Sequence, residues 1–241
     1  MEPLTRDHFF NGDIVLDQPK SGYRFSIDAV ILSHLACPQA GETVLDLGTG
    51  CGVIPIMLAF RHPEIRVVGV EIQPALSDLA RRNVAANRMA HRVSIVHKDM
   101  GRLSLADIGG PVELVVSNPP YRQRGSGRIN ADSQRAVARH ELRVDLETVL
   151  ITARRMLHTS GRFSIIYPSV RTVDLVAAMR QTGLEPKNLT MIHSRPASSA
   201  SLVAITGIKG GRPGLEAGAP LYLYHDDGTY TRDVEAMFSG S

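Results

Sequence analysis

The stretch Val44-Leu45-Asp46-Leu47-Gly48-Thr49-Gly50-Cys51-Gly52 constrains this chain more than any other. Thr43 to Leu47 is an apolar run with the length and character of a buried strand. Three glycines follow at alternate positions. Val53 to Ala59 then reads as an apolar helix, with Pro55 tolerable because it lies in the first turn. Strand, glycine turn and helix form a cradle in which backbone approaches a ligand closely and the helix start offers unpaired N–H groups. The spacing is Gly-x-Gly-x-Gly, not the Gly-x-Gly-x-x-Gly of dinucleotide folds. A second apolar run, Arg66 to Val70, ends in Glu71, about twenty residues past Gly48, where an acid meets a ribose hydroxyl pair. A glycine turn alone is equally a plain tight turn. Asp46 before it and Glu71 after it single it out.

Downstream, apolar runs and helical faces alternate. Pro74 to Asn87 reads as a helix with Leu76, Leu79, Ala80 and Val84 inward. Arg92 to His97 is a third strand, followed by Asp99, which is either an ordinary polar strand end or an acceptor for an adenine amino group. Leu103 to Ile108 is a connector with helical character, and Pro111 to Val116 a fourth strand. Leu146 to His158 reads as a helix, Gly161 to Tyr167 as a fifth strand, and Val170 to Thr182 as a helix. Leu184 to Ser194 and Ala200 to Gly207 are strand-like and flank Arg195 to Ser199, so they are expected to pair as a closing hairpin. Lys209 to Pro220 reads as a glycine-rich, flexible connector. Leu221 to Tyr224 and Thr229 to Phe238 read as a small appendage of strand, turn and helix.

The fourth strand ends in Ser117-Asn118-Pro119-Pro120-Tyr121. Two prolines fix the backbone, with a polar amide before them and an aromatic ring after. Read structurally, this is a proline turn with a capping Asn. Read chemically, Asn118 and the Pro119 carbonyl accept both N–H groups of an exocyclic amine and aim its lone pair, while Tyr121 offers a face for an unstacked base. From Arg122 to Arg143 the chain turns basic. Arg122, Arg124 and Arg128 flank Gly125-Ser126-Gly127 and read as phosphate contacts at a pocket mouth, or else as a solvated loop. His140 is taken as structural. Upstream, Ser26 is a natural N-cap and Asp28 suits a first turn. Arg24, Phe25 and Asp28 either close one side of the cofactor pocket or belong to a plain lid helix.

Bulk properties permit this reading. The chain has 241 residues, is 43% hydrophobic and carries a formal net charge of +3, which allows a nucleic-acid partner without requiring one. Cys37 and Cys51 have no metal or redox spacing and are expected to be reduced, small and buried. No run approaches the ~20 apolar residues of a membrane span, and no secretory leader is evident. A cytoplasmic protein without membrane or metal is expected. Oligomeric state is not legible.

The glycine turn with its two acids resembles the S-adenosylmethionine site of class I methyltransferases, and Asn118-Pro119-Pro120-Tyr121 resembles the motif of amino-methyltransferases. The whole chain is similar to the bacterial family that methylates N6 of the adenine next to the anticodon of a valine tRNA. That likeness rests on Gly22-Tyr23-Arg24, Asp28-Ala29-Val30, Asp46 to Gly52, Asn118 to Tyr121, Ala138-Arg139-His140-Glu141, His193-Ser194-Arg195, Pro220 to Tyr224 and Gly228 to Thr231. Phe25-Ser26-Ile27 departs from the small residues common there. The resemblance implies an α/β, Rossmann-like fold: a mostly parallel seven-stranded sheet, helices on both faces and a C-terminal antiparallel hairpin. It implies one methyltransferase domain over 1–241, divided into a lid segment (1–40), a core (41–207) and an appendage (208–241). It implies S-adenosylmethionine on Asp46, Gly48, Gly50, Gly52, Glu71, Ile72 and Asp99, a tRNA partner, and Asn118 to Tyr121 at the target amine. A protein-glutamine methyltransferase of the release-factor type is the competing enzyme. Only about forty residues precede the first strand here, too few for that type's usual substrate domain. A non-catalytic RNA-binding module would need none of Asp46, Glu71 and Asn118.

Overall fold

A computed structural model describes residues 4–20, 26–119 and 146–239. Each apolar run identified above becomes a strand of one sheet. They are β3 (Thr43–Leu47), β4 (Arg66–Glu71), β5 (Val93–His97), β6 (Val112–Ser117), β7 (Leu157–Pro168), β8 (Leu184–His193) and β9 (Ala200–Lys209). Their spatial order is β5-β4-β3-β6-β7-β9-β8. All neighbours are parallel except β9, which runs antiparallel to both β7 and β8. The expected closing hairpin is therefore present, with its second strand inserted between β7 and β8.

The strands are apolar on both faces because both are covered. Val44, Val67, Leu114, Val116 and Ile166 pack with helices α1 (Ile27–Leu35), α2 (Val53–Arg61) and α3 (Pro74–Ala86). Leu45, Leu47, Val68, Val115 and Phe163 face the other way. They pack with α4 (Leu105–Ile108), helical residues 146–156 (α5) and α6 (Thr172–Thr182). The glycine turn leaves the carboxyl end of β3 at the point where chain order reverses, with β4 and β5 on one side and β6 and β7 on the other. Ligands of open parallel sheets bind at that point.

Several boundaries differ from expectation. The helix expected to reach His158 stops at 156, and β7 begins at Leu157. Ser160 takes a left-handed φ of 64° beside Gly161, and the register slips between Val112 and Leu114. The first residues form a two-stranded hairpin, β1 (Leu4–Phe9) and β2 (Ile14–Pro19). The 209–220 connector is partly ordered. Glu216–Ala217 (β10) pairs with β8, as does Leu221–Tyr222 (β11), both in parallel. These pairs are two residues long, too short to leave a periodic signal.

The chain's last described element, α7 (Arg232–Ser239), returns to the first. Phe238 stacks on Phe9 at 6.2 Å between ring centroids and lies 5.4 Å from Tyr230, which stacks on Tyr224. Arg61 at the end of α2 joins these parts. Its Nη2 donates to the Met237 carbonyl, Nη1 lies 3.1 Å from His34 Nδ1, and the guanidinium covers the Phe10 ring at 5.1 Å. Among the described residues no helix is long and apolar enough to cross a membrane.

Candidate active site

The turn after β3 uses its glycines for backbone shape. Gly48, Gly50 and Gly52 have φ of 82°, 58° and 87°, conformations that residues with a Cβ rarely adopt. The Gly48 and Thr49 amides both donate to the Val70 carbonyl, at 2.9 and 3.0 Å, so the turn folds back over the end of β4. The Gly50 amide donates to Glu71 Oε2 and the Gln73 amide to Glu71 Oε1, each at 2.9 Å. Glu71 is 5% exposed. Each of its oxygens keeps a further lone pair, so the carboxylate is fixed and still able to accept a hydroxyl pair. Gly52 plays another part. It is the N-cap of α2, and a Cβ there would sit 3.1 Å from Ala80 Cβ, so this glycine admits the close approach of α3.

Ile72, next along, is 57% exposed. Its carbonyl lies 3.0 Å from His97 Nε2. At the end of β5, Asp99 Oδ1 accepts from the Gly101 amide at 2.9 Å, and Oδ2 stands 4.0 Å from Arg102 Nε. Asp99 is thus held as the cap of a short helical turn while remaining half-exposed. The neighbouring Met100 reaches back toward the glycine turn, with Cε 3.8 Å from where a Gly48 Cβ would be.

Asp46 lies beneath this surface. It is fully buried, and neither carboxylate oxygen has a hydrogen-bond partner. Burial pushes its pKa up to about 7, opposed by the nearby Thr49 hydroxyl and reinforced by the Glu71 charge. Thr49 Oγ1 itself has no hydrogen-bond partner; the two groups are close but not aligned, so burial dominates. Space for Thr49 comes from Gly69, the β4 partner of Asp46. A Cβ on Gly69 would meet Thr49 Oγ1 at 2.8 Å.

On the other side of the switch point, the buried Ser117 hydroxyl donates to the Leu47 carbonyl at 2.8 Å, tying the end of β6 to the end of β3. Asp46 pairs with Val116, so Asn118 leaves its strand beside Gly48. Asn118 is half-buried and Pro119 buried. Asp28 occupies the first turn of α1, also buried. Ser26 takes the extended N-cap conformation, but its side chain makes no capping hydrogen bond. Arg24, Phe25, Pro120, Tyr121, Arg122, Arg124, Arg128 and His140 lie outside the described residues. Of the two cysteines, Cys51 is buried, its thiol pushed up to about 12 by burial. Cys37 is exposed, contrary to expectation, at a left-handed φ of 42° where the chain leaves α1.

Thr49, Ser117 and Asn83, which reaches the turn from α3, were not singled out in the sequence. Gly69 carried a signal, since a lone glycine inside an apolar strand marks a close approach.

A sheet in this order, with a glycine turn at its switch point, an anchored acid on one side and an Asn-Pro strand end on the other, defines a class I methyltransferase. The family model of the methyltransferase small domain matches residues 27–179. A tRNA1(Val) (adenine(37)-N6)-methyltransferase of Porphyromonas gingivalis is 35% identical over 199 residues, covering 80% of this chain and 77% of that one. The crystal structure of a predicted O-methyltransferase from Agrobacterium tumefaciens superposes with a TM-score of 0.69 at 24% identity, covering 88% of this chain and 96% of that one. A geranyl diphosphate C-methyltransferase from Streptomyces coelicolor, solved with S-adenosyl-L-homocysteine, gives 0.52 at 17% identity and covers 75% and 74%. The chain belongs to the methyltransferase small-domain family and, within it, to the tRNA1(Val) (adenine(37)-N6)-methyltransferases.

Proposed function

We propose that the enzyme methylates N6 of adenine 37 in a valine tRNA, using S-adenosylmethionine held on the β3, β4 and β5 side of the switch point. The observation that carries this reading is the placement of Asn118 beside Gly48, with Ser117 bonded to the Leu47 carbonyl. An amine acceptor thereby stands next to the cofactor cradle. The residues fit the cofactor. Glu71 keeps a lone pair on each oxygen for the ribose hydroxyls, and the half-exposed Asp99 can accept from the adenine amine. Exposed Ile72 offers an apolar face to the ring. Asp46 is a buried carboxylate lacking a partner, and a cationic ammonium is the kind of group it lacks.

When bound, S-adenosylmethionine supplies an electrophilic sulfonium methyl, so the protein's share is positioning and exclusion of water. The adenine amine is a poor nucleophile because its lone pair is delocalised into the ring. Asn118 Oδ1 and the Pro119 carbonyl accept its two N–H groups, turn the lone pair toward the methyl, and stabilise positive charge growing on nitrogen. No strong base is needed, because the proton leaves after transfer. Tyr121 supplies a stacking face for the unstacked base, and Arg122, Arg124 and Arg128 contact phosphates. A tRNA substrate supports a cytoplasmic enzyme.

The test is transfer of labelled methyl from S-adenosylmethionine to total RNA and total protein, with nucleoside analysis. Label recovered as N6-methyladenosine in a valine tRNA is expected. Label confined to protein glutamine would overturn the reading.

A further inference from the structure

Helix α3 gives strand β2 a hydrogen-bonded neighbour that is not a strand. Asn87 accepts from the Val15 amide at 2.9 Å and donates to the Val15 carbonyl at 2.7 Å. One helical turn earlier, Asn83 accepts from the Asp17 amide at 2.9 Å and donates to the Asp17 carbonyl at 2.8 Å. The match is geometric. Four residues of helix rise ~6 Å and two residues of strand ~6.6 Å, so i and i+4 of α3 meet i and i+2 of β2.

The two asparagines differ in their remaining amide hydrogen. Asn87 donates it to the Asn83 carbonyl, within its own helix, at 2.8 Å. Asn83 donates it to the Cys51 carbonyl, inside the glycine turn, at 2.9 Å. Asn83 is 2% exposed, and both its amide hydrogens and its oxygen are engaged, which fixes its orientation. Glu71 holds the Gly50 N–H from the β4 side, and Asn83 holds the carbonyl of the next residue from the α3 side. Three glycines at alternate positions give this turn the greatest backbone freedom to lose on ordering, so grips on successive residues set how much of that freedom is already gone before a ligand arrives.

We propose that Asn83 is a positioning residue for the cofactor turn. One buried carboxamide fastens the Cys51 carbonyl, α3 and the Asp17 backbone of β2 together, so that order at Asp17 and affinity for the cofactor rise and fall together. The inference rests on the cofactor assignment made above.

Asn87→Ala is the matched control, because it removes the same pair of bonds to β2 and leaves the turn alone. With S-adenosylhomocysteine as the calorimetric probe, Asn83→Ala should weaken binding by about three- to tenfold, the loss of one buried hydrogen bond. The KM for S-adenosylmethionine should rise in proportion, with kcat at saturating cofactor kept within about twofold. Asn87→Ala should stay within about twofold of the parent in affinity while losing comparable thermal stability. Equal affinity losses in both variants, or none in Asn83→Ala, would overturn the proposal. If Asn83→Ala does not fold, hydrogen exchange on the parent decides. Saturation with S-adenosylhomocysteine should slow exchange at Asp17 as well as at Gly50 to Val53; protection of the turn alone overturns the coupling. A parent that does not bind S-adenosylhomocysteine refutes the cofactor assignment itself. A parent that binds, with Asn83→Ala unchanged, refutes only the coupling.

Discussion

Asn118 is half-buried and Asp46 wholly so, and the difference sets what each can do. On the proposed mechanism, Asn118→Ala should lower single-turnover methyl transfer by ~100–1,000-fold with little change in cofactor or tRNA affinity, the cost of one oriented transition-state hydrogen bond. Equal single-turnover rates for variant and parent would return the Asn-Pro stretch to a rigid turn. Asp46 has a folded pKa of about 7 against 3.8 for the free side chain. A raised carboxyl pKa means the folded state holds the proton more tightly. Its contribution to stability is therefore greatest at low pH and is lost as pH climbs from about 4 to 7, by ~1.4 kcal/mol per unit. Asp46→Asn has no such charge to bury, so in denaturant titrations without cofactor it should gain on the parent as pH rises from about 4 to 7. A difference that does not vary with pH would show an Asp46 that is ionised and satisfied. Both residues were legible because their signals are local, an acid before a glycine turn and an amide before two prolines. Thr49 and Gly69 were not read together, because their meaning is a contact between side-chain space on two different strands.

Elements show the same division. Strand β3 falls where the apolar run put it, since four consecutive buried residues, Val44 to Leu47, in a covered sheet leave a plain mark. Helix α3 was legible as a helix with Leu76, Leu79, Ala80 and Val84 inward, and its boundaries agree to a residue. That its asparagines also face inward was not legible, because polar residues at helical spacing read as a solvated face until a partner strand is known. The end of α5 was missed for a related reason: no glycine or proline marks 156, and the left-handed residue comes later, at Ser160. Packing between α3 and the start of α2 gives a sharp test. Gly52→Ala combines a φ of 87° with a Cβ 3.1 Å from Ala80 Cβ. It should cost ~1–3 kcal/mol in denaturant unfolding through strain and overpacking. Unchanged stability would mean that α3 shifts freely, and the close approach would then have no part in fixing the turn.

The whole molecule is closed by contacts that sequence order hides. The parallel sheet follows from alternating strand and helix patterns. The covering of its edge by two-residue strands, and the return of α7 to α1 and the first hairpin, depend on distances that no window of sequence contains. Arg61 is the clearest case. It reads as a charge at a helix end, yet it bonds the Met237 carbonyl, meets His34 and lies over Phe10. Burial and the Arg61 charge lower the His34 pKa, opposed by the Asp233 charge. Arg61→Ala should destabilise the fold by about 2–3 kcal/mol, most of it from the lost charged hydrogen bonds, and hydrogen exchange should speed up first in α7. A variant that unfolds with the parent, α7 included, would show that Arg61 merely fills space.

The ring of Phe238 against that of Phe9 also sets a clock. The two are separated by about 230 residues of synthesis, ~10–45 s at ~5–20 residues per second. Throughout that interval the Phe9 ring lacks this partner. A nascent chain of this enzyme carries the uncovered Phe9 ring until Phe238 has been made, and chaperones that hold such surfaces have that interval in which to act.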